Sequence, residues 1–239
     1  MKEMDIHIKG IVKSSLIDYP DKISTVVFFS RCNFRCPYCH NPELIFNEEE
    51  FPDITPVEFF AFIDKKRKWI DGIVLLGGEP LMHPGILDFM REIKRRKLLV
   101  KLDTNGSFPL IIQKAIDEKL VDYIAMDIKN SQERYEETVC AKVSIEQIKK
   151  SVRLIINAGR DGLIDYEFRT TVLPKLHSPK DLEAIASWIT GAKKYVLQQF
   201  KTEKDLIDNT FKDEKSYSEK ELHHFKKIFE GKVGIVEVR

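Results

Sequence analysis

The sequence predicts an α/β fold made of repeated strand and helix units around a parallel sheet. Short apolar, β-branched runs alternate with longer amphipathic stretches from Ser24 onward, the rhythm of βα units. Each residue pattern capable of chemistry falls at the C-terminal end of one of those runs, the edge where parallel sheets bind ligands. A chain of 239 residues buries a core without disulfide or metal staples. A single domain over residues 1–239 is therefore expected, with an N-terminal extension over 1–23, a βα core over 24–200 and a C-terminal helix and tail over 201–239.

In chain order, strands are expected at residues 24–29, 72–76, 99–103, 123–129, 165–173 and 194–200. Helices fill the gaps. The first opens at Thr55-Pro56-Val57-Glu58, with a capping threonine, proline at the first helical position and a glutamate behind it; Phe59, Phe60, Phe62 and Ile63 form its inward face. The second, over 84–97, ends in Lys94-Arg95-Arg96-Lys97, cations that complement the helix C-terminal dipole. That run reads as a solvated helix end, because no aromatic platform accompanies it as nucleic-acid binding would require. Further helices are expected at 109–119, 145–158, 179–189 and 218–229.

Composition excludes several classes. With 39 basic and 38 acidic residues and a net charge of +1, nothing draws the whole molecule to nucleic acid or an anionic membrane. No apolar run reaches about eighteen residues, and the start Met1-Lys2-Glu3-Met4-Asp5 is polar rather than signal-like. A cytoplasmic protein is expected. Three of its four cysteines, Cys32, Cys36 and Cys39, crowd into eight residues, and Cys140 lies far away. Metal-bound thiolates suit that spacing better than two disulfides.

Structural zinc wants four ligands, usually as two separated pairs. Here there is one loop, and His40 directly after Cys39 would strain a closed tetrahedron. Electron-transfer ferredoxins use four cysteines per cluster, which this chain matches only if Cys140 folds back. Three thiolates instead leave one iron of a cubane cluster without a protein ligand. Phe34 and Tyr38 are placed to shield such a cluster, and loop amides to tune it. Cys140 itself reads as a small buried hydrophobe.

Cys32, Cys36, Tyr38 and Cys39 resemble the cysteine motif of the radical S-adenosylmethionine superfamily position for position. The resemblance implies an open, partial (β/α)6 TIM-like barrel of parallel strands, with a 4Fe-4S cluster held by Cys32, Cys36 and Cys39. Its open iron would chelate S-adenosylmethionine through the amino and carboxylate groups. Gly77-Gly78-Glu79-Pro80, by itself an ordinary strand-end turn, is similar to the superfamily motif that meets the methionyl amine. Asp127 and Lys129 share one side of a strand by its period of two. From the residues alone they form an ion pair or await a charged ligand; the resemblance implies contact with ribose and carboxylate. Arg169, a charge in a core strand, is expected to face the ligand carboxylate or Glu167. Tyr38 and His40 complete the expected cofactor contacts.

Asp103-Thr104-Asn105-Gly106 reads as an Asx-type turn. It is also similar to a segment of pyruvate formate-lyase activating enzymes that binds a monovalent cation, which implies cation ligands at Asp103, Thr104 and Asp127. Where those relatives place a histidine, this chain has Gln198-Gln199-Phe200-Lys201. His7, His83, His177, His223 and His224 fall at expected surfaces or turns and receive no role.

Cys39-His40-Asn41 continues the cysteine motif as in glycyl-radical-enzyme activating proteins, and within that group residues 15–24 leading into 32–44 look most like anaerobic ribonucleoside-triphosphate reductase activating proteins. The resemblance implies hydrogen abstraction from a glycine of that reductase, with flavodoxin or ferredoxin as electron donor. The βα repeats consume the chain and leave little for a substrate domain, which suits a protein substrate. Activation of another glycyl radical enzyme such as pyruvate formate-lyase, small-molecule radical chemistry and, more distantly, a non-enzymatic metal-binding module remain open.

Overall fold

The computed structural model of the protein describes residues 4–201 and 205–239; Met1, Lys2 and Glu3 of the polar start, and residues 202–204 of the expected tail, lie outside the described residues. The chain falls into two compact units. The first holds residues up to Asn33, then 43–104 and 110–124; the second holds 34–42, 105–109 and 125–239.

The first unit begins with a strand where the sequence predicts an N-terminal extension. Strand β1 (Ile8–Ser15) pairs antiparallel with β2 (Ser24–Phe29). Its middle, Val12, Lys13 and Ser14, is exposed, so the alternation that marks a half-buried strand is too weak to read. The hairpin between them is tied at Ser15, whose Oγ accepts the Ile17 and Asp18 amides at 3.2 and 3.3 Å and donates to Asp18 Oδ2 at 2.5 Å. After α1 (Glu43–Phe46) comes α2 (Pro56–Lys66), opened by the capping box expected at Thr55 and Glu58.

Strand β3 (Gly72–Gly77), α3 (Ile86–Arg95), β4 (Leu99–Thr104) and α4 (Pro109–Asp117) follow. β2 pairs parallel with β3 from Ser24 opposite Gly72 to Phe29 opposite Gly77, and β3 pairs parallel with β4. Phe29, Phe59, Phe60 and Phe89 interlock at ring separations of 5.0–5.8 Å, each such pair adding about 0.5–1.5 kcal/mol to its area burial. The basic helix end is ion-paired as well as solvated: Arg96 meets Asp64 and Glu92 and lies over the Phe60 ring, and Lys94 meets Asp122.

Strand β5 (Tyr123–Asp127) leads into the second unit, which contains α5 (Tyr135–Val139), α6 (Ile145–Arg160), β6 (Asp165–Val172), α7 (Pro179–Trp188), β7 (Lys194–Gln199), α8 (Glu219–Phe225) and β8 (Ile235–Val238). β6 pairs parallel with β7, and β7 with β8. β8 lies in the stretch expected to be helix and tail. Four residues are too few to show periodicity, and β8 takes its shape from β7 beside it. The fold class is α/β with parallel strands, as the sequence predicts. Among the described residues no helix is long and apolar enough to cross a membrane.

Candidate active site

In the first unit the parallel pairing continues past the strands into the loops. Beyond β2 and β3, the Gly78 amide donates to Phe29 O at 2.8 Å and the Glu79 amide to Arg31 O at 2.7 Å. Arg31, immediately before Cys32, takes a left-handed conformation at φ 63°, uncommon without glycine, and its amide donates to Leu44 O at 2.9 Å. Both ends of the cysteine loop are thus fastened at Arg31. A Cβ on Gly78 would sit 1.9 Å from Arg31 O, and one on Gly77, at φ 120°, 2.4 Å from Phe29 O. The glycine pair is therefore required by this chain's own backbone.

The Glu79 carboxylate is fully buried. It accepts from the Leu81 amide at 3.1 Å and the Thr104 hydroxyl at 2.8 Å, tying the end of β4 to the turn after β3. His83, expected at a surface, is buried. Its Nδ1 accepts the His7 amide at 3.3 Å, so Nε2 carries the proton and donates it to Ser30 O at 2.9 Å. Burial holds its pKa below the ordinary value and keeps it neutral.

In the second unit the cysteine loop is shaped by Arg35, whose amide donates to Val139 O at 2.8 Å, and by Pro37, whose carbonyl accepts the Asp208 amide at 2.9 Å. The Cys39 amide donates to Cys36 O at 3.0 Å, closing one turn between two of the thiols. Phe34 meets the Tyr135 ring edge-on at 6.3 Å; Phe200 meets Tyr38 edge-on at 6.5 Å and stacks on His40 at 5.6 Å. Tyr38 is buried, and its hydroxyl has no hydrogen-bond partner. Burial pushes that phenol well above its ordinary pKa, against the pull of Lys129 and with Cys36 and Asp127 adding to the rise.

Asp127 receives Lys129 Nζ at 2.9 Å and Arg169 Nε at 2.9 Å. Burial favours its neutral form, but Arg169 and then Lys129 outweigh that and bring its pKa to about 2. Burial likewise opposes the charge on Lys129, yet Asp127, with Tyr38 and Cys36, holds the ammonium well above its ordinary pKa. The expected alternative partner of Arg169, Glu167, receives both guanidinium nitrogens of Arg239 at 3.0 Å.

His177, also expected at a surface, is fully buried beneath this group. Its Nδ1 accepts the Leu173 amide at 3.2 Å and its Nε2–H donates to Lys129 O at 2.8 Å, with burial again lowering its pKa. Cys140 is exposed, not buried, and ends α5 in the left-handed region at φ 48°.

The structure brings Cys36, Tyr38, Cys39 and His40 together with Asp127, Lys129 and Arg169 in the second unit, and holds Cys32, Gly77, Gly78, Glu79, Asp103 and Thr104 in the first. Phe200, Tyr135 and the two buried histidines are the additions that sequence reasoning missed. None carries a local signal, because each acts on a residue from another element. All four cysteines are free of disulfides. Among the described residues no group of three or more His, Cys, Asp or Glu side chains is preformed to hold a metal ion. What fits a 4Fe-4S cluster is the donor chemistry of the loop: three thiols at spacings of four and three.

The chain belongs to the Radical SAM superfamily, whose family model matches residues 26–189; that superfamily uses a 4Fe-4S cluster and S-adenosylmethionine. The chain is similar, at 38% identity over 97% of its length and 95% of the relative, to a Methanocaldococcus jannaschii protein provisionally named a glycyl-radical enzyme activating enzyme. It is 31% identical to the Clostridium pasteurianum pyruvate formate-lyase-activating enzyme, over 52% of each chain. Among solved structures, Streptococcus suis SuiB bound to S-adenosylmethionine superposes with a TM-score of 0.62 at 13% identity, covering 90% of this chain and 51% of SuiB. Kitasatospora setae TsrM, a radical S-adenosylmethionine methyltransferase with cobalamin and a 4Fe-4S cluster bound, gives 0.52 at 13% identity, over 75% of this chain and 37% of TsrM. These likenesses establish the radical SAM type of α/β fold.

Proposed function

We propose that this protein activates anaerobic ribonucleoside-triphosphate reductase by removing the α-hydrogen of one of its glycines, leaving a glycyl radical. When bound at Cys32, Cys36 and Cys39, the cluster and S-adenosylmethionine supply a one-electron cleavage of the sulfonium that yields a hydrogen-abstracting deoxyadenosyl radical. The electron comes from outside, from a cytoplasmic flavodoxin or ferredoxin.

The observation that carries the reading is the Asp127, Lys129 and Arg169 group beside Cys36 and Tyr38, whose ammonium and guanidinium are the donor types that suit a ligand carboxylate. His177 holds the carbonyl of Lys129, so the ammonium starts from a fixed backbone. Phe34, Tyr38 and Phe200 are themselves buried and pack an apolar backing behind part of the loop. The near full-length similarity to a protein named for glycyl-radical activation supports a protein substrate. The shorter similarity to a pyruvate formate-lyase-activating enzyme supports the second reading, in which that lyase is the partner.

The test is anaerobic reconstitution with iron and sulfide, reduction, and addition of S-adenosylmethionine with either purified enzyme. A paramagnetic resonance doublet is expected on the reductase. Cleavage of S-adenosylmethionine with the doublet only on the lyase establishes the second reading. Cleavage with neither doublet removes both partners and leaves the cofactor chemistry.

A further inference from the structure

We propose that the ammonium of Lys101 takes the place of a dissociable monovalent cation at Asp103, so that this protein works without bound sodium or potassium. The resemblance at Asp103-Thr104-Asn105-Gly106 implies cation ligands at Asp103, Thr104 and Asp127, and these side chains do not fit that role. Lys101 and Asp103 are two residues apart on β4 and so share one face. The Lys101 side chain is 4% exposed and that of Asp103 13%, and Lys101 Nζ is bonded to Asp103 Oδ1. The Tyr123 ring lies 5.9 Å from the same ammonium.

The other two implied ligands are also engaged. The Thr104 hydroxyl donates to Glu79 at 2.8 Å, and Asp127 already has two cations at 2.9 Å each. A monovalent cation serves a buried carboxylate by supplying one compact positive charge. A lysine ammonium supplies the same charge with three donors, and here it is covalently attached. Sodium taking the place of that ammonium at Asp103 Oδ1 would leave the ammonium buried without this partner.

The inference rests on the family reading only for the expectation of a cation, and its test needs no reductase. Thermal midpoints of the full-length reconstituted protein are compared in sodium, potassium and tetramethylammonium chloride at equal ionic strength. The wild type is expected to give the same midpoint in all three. Lys101→Met is expected to unfold earlier in tetramethylammonium and to regain roughly 5 °C in sodium or potassium at about a hundredfold above the dissociation constant. Adding Asp103→Asn is expected to abolish that response. If Lys101→Met does not fold, Lys101→Gln takes its place with the same expectation. A wild-type midpoint that rises specifically with sodium or potassium and loses the rise in Asp103→Asn overturns the proposal. So does a folded Lys101 variant with no cation response.

Discussion

Lys129 can be removed without stranding its neighbour, because Asp127 keeps Arg169 at 2.9 Å. Lys129→Met is therefore expected to fold and to weaken S-adenosylmethionine binding about tenfold to a hundredfold, the worth of roughly 1.5–3 kcal/mol for a hydrogen bond to a charged group; equilibrium dialysis of the reconstituted variant measures it. The buried histidines set a pH dependence. Burial holds the pKa values of His83 and His177 below the ordinary value in the folded protein. As pH falls through about 6.5 the unfolded chain takes up these protons first, and stability declines. The decline ends once the folded-state values are passed. Urea midpoints are expected to fall as pH drops from about 6.5, and the double variant His83→Gln, His177→Gln is expected to show a shallower fall. Sequence could give the cysteine spacing and the Asp127 and Lys129 pair, since both lie within a few residues of chain. It gave His83 and His177 as surface residues, because what buries them comes from elsewhere.

The element that most constrains the cysteine loop is the turn after β3. Gly78→Ala forces a Cβ toward Arg31 O, only 1.9 Å away, and backbone must shift. A cost of about 3 kcal/mol is expected, with reduced iron content after reconstitution, because Arg31 anchors the loop at Cys32. The capping box of α2 offers a contrast. Thr55→Ala is expected to cost about 1 kcal/mol, roughly 2–4 °C in thermal midpoint, with iron content unchanged. The cap and its proline were legible because capping is local; the clash at Gly78 was not, because it depends on how β3 lies beside β2.

For the whole molecule, the C-terminal end of the chain is bound into the second unit. The Glu167 side chain is 1% exposed, and Arg239 reaches it with two nitrogens, while Lys194 stands 3.6 Å away. Arg239→Met takes two charge-assisted hydrogen bonds from that buried carboxylate. A loss of about 3 kcal/mol is expected, seen as a thermal midpoint lowered by roughly 6 °C or more and as earlier proteolysis of β8. From the sequence, Glu167 is one of two expected partners of Arg169, beside a ligand carboxylate, because it lies two residues away on one strand. In the structure Glu167 also pairs with Arg239, 72 residues along the chain.

The sequence by itself determined the βα rhythm, the three thiols, the glycine pair and the charged pair on β5. Each of these depends on spacing along a strand, a helix turn or a short loop, which the covalent chain sets. Only the tertiary structure decided that β1 and β8 are strands, that Phe200 backs the cysteine loop and that two neutral histidines hold strand-end carbonyls. It also decided that Arg169 pairs with Asp127. Those facts depend on which strands become neighbours, and it is burial of the apolar faces, acting over the whole chain, that selects the neighbours.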